Sequence, residues 1–348
     1  MSLPGSVAGQ LVSEAGERAL IDRIRQRVPS ADPALLVGIG DDAAVAAPDR
    51  GALQVLTTDA LVEGVHFDRR FSTAADIGYK ALAVNVSDIA SMGGRARFAL
   101  LSLMLPADTT VSDVDALLDG LLELAGQVRV TLAGGNVTRS PGPLVVDVTV
   151  VGSVKPRKVL TRSAGRPGDV LYVTGQIGAA AAGLDWLRQE YARSPAAHSR
   201  PSDEALAECV ARHCRPEPRA RVGSILGRTK ASNVCMDLSD GLADAVRQLA
   251  AGSGTGARID ADLLPIHPGA REWFGRRDAD PISASVTGGD DYELLFAVQS
   301  RKRSRLRGVM REARGLAVTR IGELTSDPSV GMLRAGRLEP LPSGFVHF

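Results

Sequence analysis

The chain has 348 residues, enough for about two domains, and 44% of them are hydrophobic, enough to fill sizeable cores. Its 41 lysines and arginines against 40 acids leave a formal charge of +1, which offers no general attraction for nucleic acid or an anionic membrane. Aromatic content of 4% argues against base-stacking platforms. No run reaches the roughly 18 apolar residues of a membrane span, and the first residues lack a basic stretch followed by an apolar one. The three cysteines, Cys209, Cys214 and Cys235, suit a reducing compartment, so a cytoplasmic protein without membrane or nucleic-acid partners is expected.

In chain order, Glu17 to Val28 reads as an amphipathic helix, with Leu20, Ile24 and Val28 at helical spacing. Leu35 to Ile39 and Leu53 to Thr57 read as strands, each ending in an acid-bearing turn. Ala74 to Ser91 reads as a helix stopped by Gly93-Gly94. Phe98 to Leu105 is a strand ended by Pro106, Val111 to Val128 a helix, and Leu144 to Val151 a strand. Lys155-Pro156-Arg157-Lys158 marks the expected boundary between a domain of residues 1–154 and one of 155–348. Beyond it, Asp169 to Thr174 reads as a strand, Ala179 to Glu190 as a helix and Ala192 to Ser202 as an exposed loop. Val234 to Leu238 reads as a strand followed by a helix to Ala251, and Asp291 to Val298 as a further strand.

Six short stretches place acids, or in one case an amide, beside glycine, serine or threonine. They are Gly40-Asp41-Asp42, Thr57-Thr58-Asp59, Ser87-Asp88, Gly134-Gly135-Asn136, Asp237-Leu238-Ser239-Asp240-Gly241 and Gly288-Gly289-Asp290-Asp291. Small residues admit close backbone approach to a ligand. Gathered carboxylates repel by up to about 4 kcal/mol per close pair at an effective dielectric near 20, so converging segments of this kind call for cations. Mg²⁺ with a polyphosphate fits oxygen-only donors.

Each stretch alone has a plainer reading. The Asp42 turn could be merely acidic, Thr57 to Asp59 a solvated strand end, Asp240 a helix N-cap, Asn136 a cap of the turn after Gly134-Gly135, and Gly288 to Asp291 a β-turn. Arg162 could grip phosphate or make a surface ion pair, and His66 could be structural. Gly38-x-Gly40-x-x-Ala43 with Asp59 about twenty residues on mimics a dinucleotide fingerprint. Two carboxylates in its turn would repel a pyrophosphate, and Pro48 cuts the required helix short. Cys209, His213 and Cys214 lack a second ligand pair and read as structural rather than zinc-binding. P-loop, nucleophile-elbow and H-E-x-x-H patterns are missing from the sequence.

Taken together and in order, GIGDDAAV, TTDALVEGVHF, KALAVNVSDIASMG, AGGNVTRS, LTRSAGRPGD, RPEPR, MDLSDGLADA, TGGDDYELLF and the ending GFVHF resemble the thiamine-monophosphate kinase family of the aminoimidazole-ribonucleotide-synthetase-like superfamily. The similarity runs from about Glu17 to Phe348. It implies a two-domain α/β (α+β) fold whose N-terminal domain forms a shared β-barrel in a homodimer, with a C-terminal α/β domain covering it. It implies transfer of the ATP γ-phosphoryl group to thiamine monophosphate, giving thiamine diphosphate and ADP, with several Mg²⁺ ions and no assigned general base. It also implies that Asp42, Thr57, Thr58, Asp59, Asp88, Asn136, Asp237 and Asp240 hold metal. Gly135, Asn136, Arg162 and Ser239 would contact ATP, and His66, Asp290 and Phe345 the thiamine monophosphate. The family usually carries Asp where this chain has Asn136, and position 290 is Asp where Glu is also familiar.

Rival readings are other superfamily enzymes and a non-catalytic ATP–Mg²⁺ sensor. A selenophosphate synthetase carries a reactive cysteine near its N-terminus, whereas here none precedes Cys209. The hydrogenase-maturation protein ends near a functional cysteine, whereas this chain ends in His347-Phe348. A purine-pathway synthetase is the remaining enzyme alternative.

Overall fold

The computed structural model describes residues 9–29, 32–194 and 201–344. They form two compact units. The first takes the chain up to Val86 and Ala96–Ser153; the second takes Ser87–Arg95 and the chain from Val154 onward. The second unit therefore reclaims the end of a helix from the N-terminal half.

Six strands serve the first unit: β1 (Leu35–Val37), β2 (Val45–Ala46), β3 (Leu53–Val62), β4 (Arg95–Leu105), β5 (Thr131–Arg139) and β6 (Val145–Val154). β1 and β2 form a small ribbon, and the other four form a sheet in the order β3-β6-β4-β5. Its helices are α1 (Val12–Ala15), α2 (Glu17–Arg27), α3 (Ala74–Ser91) and α4 (Val111–Val128). A capping box starts α4: the Thr110 hydroxyl accepts from the Asp113 amide, and the Asp113 carboxylate from the Thr110 amide. Helices α3 and α4 meet backbone to backbone. A Cβ at Gly78 would lie 1.9 Å from the Leu117 carbonyl oxygen, and one at Gly120 1.8 Å from that of Ala75, so the crossing needs both glycines.

Burial alternates along the sheet, as one-sided covering requires. Val146, Val148 and Val150 are fully buried on β6. The opposite face keeps Leu56 66% and Leu100 37% exposed, and edge strand β3 also leaves Leu53 open.

The second unit is built on seven strands: β7 (Val170–Thr174), β8 (Val234–Asp237), β9 (Gly256–Asp260), β10 (Leu294–Val298), β11 (Val318–Thr325), β12 (Val330–Arg334) and β13 (Arg337–Pro340). Their order is β13-β12-β9-β11-β7-β10-β8. Pairing is antiparallel except between β9 and β12. Helices α5 (Ala179–Arg193), α6 (Glu204–Cys214), α7 (Ala220–Thr229), α8 (Leu242–Ser253), α9 (Pro268–Gly275), α10 (Pro281–Thr287) and α11 (Arg303–Glu312) complete the unit.

β10 explains how the sheet is covered on both sides. Leu295 and Ala297 join a core with residues of α5 and α8, while Leu294, Phe296 and Val298 join a second core with residues of α7 and α11. A continuous apolar run is what a strand buried on both faces needs.

The expected helices α3 and α4 have the bounds found. β3, however, continues to Val62 rather than ending at Thr57, and β10 begins at Leu294 rather than Asp291. β5 runs through Gly134-Gly135, which read as a turn in the sequence, because it pairs along its length with β4. Of the loop expected over 192–202, residues 195–200 lie outside the described residues; Ala192 and Arg193 still belong to α5.

Candidate active site

In the second unit, antiparallel pairing of β8 with β10 sets Asp237 opposite Leu294. The exit of β8 and the entry of β10 therefore lie at one end of the sheet. Main-chain bonds continue the pairing past the strands. The Asp290 amide donates to the Ser239 carbonyl at 2.8 Å, and the Tyr292 amide to that of Leu238 at 3.0 Å. The Leu238 amide donates in turn to the Glu293 carbonyl at 2.9 Å. A Cβ at Gly289 would approach the Ser239 carbonyl oxygen to 2.5 Å, so this seam needs glycine there. Asp237-Leu238-Ser239-Asp240 and Gly289-Asp290-Asp291 thus form one structure, though fifty residues of chain separate them.

Asp237 is only 2% exposed. One of its carboxylate oxygens accepts from the Ser87 hydroxyl at 2.6 Å, and Ser87 itself is fully buried. Burial, and then the neighbouring charge of Asp88, push Asp237 up to about 6, while Arg162 pulls weakly the other way. Ser87 and Asp88 are adjacent on α3, so the last turn of that helix delivers both a hydroxyl donor and a like charge to this carboxylate.

Asp240 does not cap α8. Gly241 holds the cap position, with no side-chain cap bond and a φ of 93°. The N-cap reading of Asp240 is therefore wrong, because the chain turns one residue later than the sequence suggests. Arg162 is exposed and donates to the Gln248 side chain at 2.7 Å. The Thr161 carbonyl accepts from the Cys235 amide, so Arg162 is anchored beside β8.

The Asp290 segment is no ordinary β-turn. Asp290 has φ 68° and Tyr292 φ 48°, both in the left-handed region, where side chains other than glycine are uncommon. Asp291 accepts from the Gly178 and Ala180 amides at the start of α5, and burial pushes it up to about 7. Glu293 is fully buried. It accepts from Arg219 at 2.7 and 2.5 Å and from the Thr174 hydroxyl at 2.5 Å. Arg219 closes the RPEPR segment, a motif to which the sequence attached no role.

In the first unit the candidates lie apart. Asp42 is exposed in the turn before β2. Thr57, Thr58 and Asp59 sit inside β3, not at its end. Alternation therefore turns Thr57 and Asp59 to one face and Thr58 to the other. The Thr58 hydroxyl meets Asp147 at 2.9 Å and Thr149 at 3.0 Å on β6, so its side chain does not join the other two. Gly135 and Asn136 lie within β5, paired with Leu101 and Ser102 of β4, so Asn136 caps no turn. A Cβ at Gly135 would fall 1.8 Å from the Leu101 carbonyl oxygen, which makes glycine a requirement of the sheet. β5 and β3 are opposite edges of that sheet, three strand spacings or roughly 14 Å apart. Asn136 and Asp59 are thus not neighbours along it.

The His66 ring nitrogen Nδ1 accepts from the Val62 amide at 3.1 Å, which leaves the proton of the neutral ring on Nε2. Lys80, buried on α3, donates to the His66 carbonyl. Phe345 lies outside the described residues. Gly344 before it is placed against the Asp240 carbonyl, 3.2 Å from where its Cβ would be.

Among the described residues, no three His, Cys, Asp or Glu side chains already form a metal cage. The donor set nevertheless suits Mg²⁺, which is usually held by one or two carboxylates, waters and substrate phosphates rather than by a closed protein cage. A buried carboxylate beside a second one, with its own ionisation disfavoured, gains from a divalent cation. Cys209, by contrast, is buried against His267 at 3.3 Å and pushed up to about 12 by burial, and so behaves as a structural thiol.

Both halves of the chain match family models: the AIR synthase related protein N-terminal domain over residues 40–154 and the corresponding C-terminal domain over 166–333. The chain is 37% identical over 339 residues to the thiamine-monophosphate kinase of Escherichia coli K12, covering 96% of this chain and 98% of that protein. It is 38% identical over 273 residues to that of Bacillus subtilis, covering 76% and 78%. Among solved structures, a thiamine-monophosphate kinase from Stenotrophomonas maltophilia superposes with a TM-score of 0.79 at 37% identity, over 90% of this chain and 95% of that one. AaThiL complexed with AMPPCP and TMP gives 0.75 at 30% identity over the whole of both chains. Hydrogenase maturation protein HypE in complex with ATP gives 0.75 at 18% identity over 96% and 97%, a likeness of fold alone. The expected two-domain α/β fold is the one these matches share.

Asp237 should make the metal-free protein pH-sensitive. Between about pH 4 and 6 the folded state keeps a proton on Asp237 that the unfolded state releases. Its contribution to stability therefore declines as pH rises through that window, and the full penalty, a few kcal/mol, is present above it. Urea unfolding in EDTA should find Asp237→Asn more stable than the parent at pH 8, with the advantage gone near pH 4. An equal difference at both pH values would show that Asp237 ionises normally.

Proposed function

Because the chain belongs to the thiamine-monophosphate kinase family, within the AIR synthase related proteins, we propose that it transfers the γ-phosphoryl group of ATP directly to the phosphate of thiamine monophosphate. The products are thiamine diphosphate and ADP. The observation that carries the reading is the buried Asp237 beside Asp88, built into the seam with Asp290. A relative that is similar over its whole length is complexed with AMPPCP and TMP, which supports both substrates.

In the second unit, Asp88, Asp237 and Asp240 would hold Mg²⁺, and Ser87 fixes one Asp237 oxygen so that the other is presented. In the first unit, Asp42, Thr57 and Asp59 are proposed metal ligands through their side chains, Asn136 through its amide oxygen, and Thr58 through its carbonyl. Gly135, Asn136, Arg162 and Ser239 are assigned to ATP. His66 can donate from Nε2, and Asp290 can accept from or neutralise a cationic acceptor; with Phe345 they are assigned to thiamine monophosphate. Bound Mg²⁺ supplies neutralisation of the facing phosphates, without which donor and acceptor repel. An oxygen of the acceptor phosphate then forms a bond to the γ-phosphorus as the bond to the ADP oxygen breaks, in line. That acceptor is already ionised at neutral pH, so no side chain has to act as a strong base.

A homodimer is part of the proposal. An edge strand with Leu53 and Leu56 open, and a sheet face with Leu100 exposed, suit closure by a second copy. Among the described residues no helix is long and apolar enough to cross a membrane; we place the reaction in the cytoplasm.

Incubation with ATP, Mg²⁺ and thiamine monophosphate should yield thiamine diphosphate and ADP in equal amounts. AMP in place of ADP, or nucleotide binding without turnover, would sink the reading. Light scattering at micromolar concentration should give twice the chain mass; a turning-over monomer would refute the dimer. Asn136→Asp should lower the Mg²⁺ concentration for half-maximal rate, since a carboxylate brings the charge the amide lacks. An unchanged midpoint and kcat would remove position 136 from the metal site.

A further inference from the structure

One residue that faces the Asp290 side chain is assigned a role by neither the motifs nor the family reading. His213, on the last turn of α6, is 3% exposed, and its Nδ1 lies 3.5 Å from Asp290 Oδ2. The other carboxylate oxygen accepts from the Tyr292 hydroxyl at 3.2 Å. Both oxygens of Asp290 are thus met by protein groups, one on a helix far away in sequence and one two residues on. The backbone beneath them is held in the left-handed region at Asp290 and Tyr292, a conformation that persists only when surrounding contacts enforce it.

α6 supplies those contacts. Arg212, next to His213, reaches 3.6 Å from Glu293 Oε1. Arg219, just past the helix in RPEPR, grips the same carboxylate. A brace made of the end of α6 and the segment after it therefore supports the Asp290 segment from below, and within it His213 lies against the candidate substrate residue.

We propose that His213 is a positioning residue for Asp290, fixing the carboxylate that takes the thiamine monophosphate acceptor and thereby setting affinity for that substrate rather than for ATP. The inference rests on the proposed kinase reading. A 3.5 Å separation is long for a hydrogen bond, and such contacts tighten when the substrate completes the site.

The test is steady-state kinetics on the full-length protein with His213→Leu, His213→Asn, Asp290→Ala and the double variant His213→Leu/Asp290→Ala. Asparagine places an N–H close to the position of imidazole Nδ1. His213→Leu should raise KM for thiamine monophosphate about tenfold, with KM for ATP within twofold of the parent, and His213→Asn should restore most of the loss. In the Asp290→Ala background the leucine substitution should have no further effect on that KM, because the group it positions is gone. Calorimetric titration with thiamine monophosphate should reproduce the same order. If His213→Leu shifts both KM values and kcat together, or if its effect multiplies with that of Asp290→Ala, His213 is only a packing residue. If His213→Leu does not fold, His213→Phe, which keeps a ring but has no N–H, carries the decision by titration: weaker binding of thiamine monophosphate with ATP binding unchanged supports the proposal, and unchanged affinity for thiamine monophosphate overturns it. Failure of the unaltered protein to make thiamine diphosphate rejects the kinase reading, and this inference with it; normal turnover with no selective effect rejects the inference alone.

Discussion

Burial of the Asp237 carboxylate is the constraint around which the second unit is arranged. A charge taken out of water must be neutralised, hydrogen-bonded or protonated. The Ser87 hydroxyl meets one oxygen, yet Asp88 adds a like charge and the carboxylate is pushed up to about 6. The fold accepts this penalty because β8, which carries Asp237, is pinned by β10. It also explains why the end of α3 belongs with the second unit: Ser87 and Asp88 are the partners of a strand about 150 residues further on.

The seam between β8 and β10 has its own support. Two non-glycine residues in the left-handed region cost on the order of 1 kcal/mol each or more. They are held by Asp291 at the start of α5 and by Glu293 in its pocket. Glu293 meets a guanidinium and a hydroxyl, and a Cβ at Gly175 would collide with it at 1.9 Å. The pair it makes with Arg219 contributes orientation more than net stability, since desolvation offsets much of the attraction between buried charges. Arg219, Arg212 and Thr174 together give this buried carboxylate the charged and hydrogen-bonding partners that burial requires.

The first unit solves a different problem. Its polar groups ride on strands, where alternation decides which of them act together. Thr57 and Asp59 share a face and Thr58 does not. Gly135 is held by the Leu101 carbonyl approaching from β4 as firmly as by any ligand. A glycine-rich segment need not be a turn; here it permits close strand pairing on an edge.

Several features were legible in the residues alone. The apolar pattern of 111–128 marks a helix with the bounds found, and the apolar run up to Val298 marks a strand, because both signals are local. The ordered acidic motifs carried the family. Other features were not local and so were hidden. Where β3 ends depends on its partner β6, not on its own hydroxyls. Asn136 reads as a turn residue until β4 pairs with it. Asp240 looks like an N-cap until Gly241 takes that place. Ser87 against Asp237, Arg219 against Glu293 and His213 against Asp290 are pairings across 150, 74 and 77 residues. Sequence by itself determined the residue types and the local elements, since propensity, capping and apolar periodicity act over a few residues. Tertiary structure alone decided which side chains meet, because burial and strand register are set by partners that lie elsewhere in the chain.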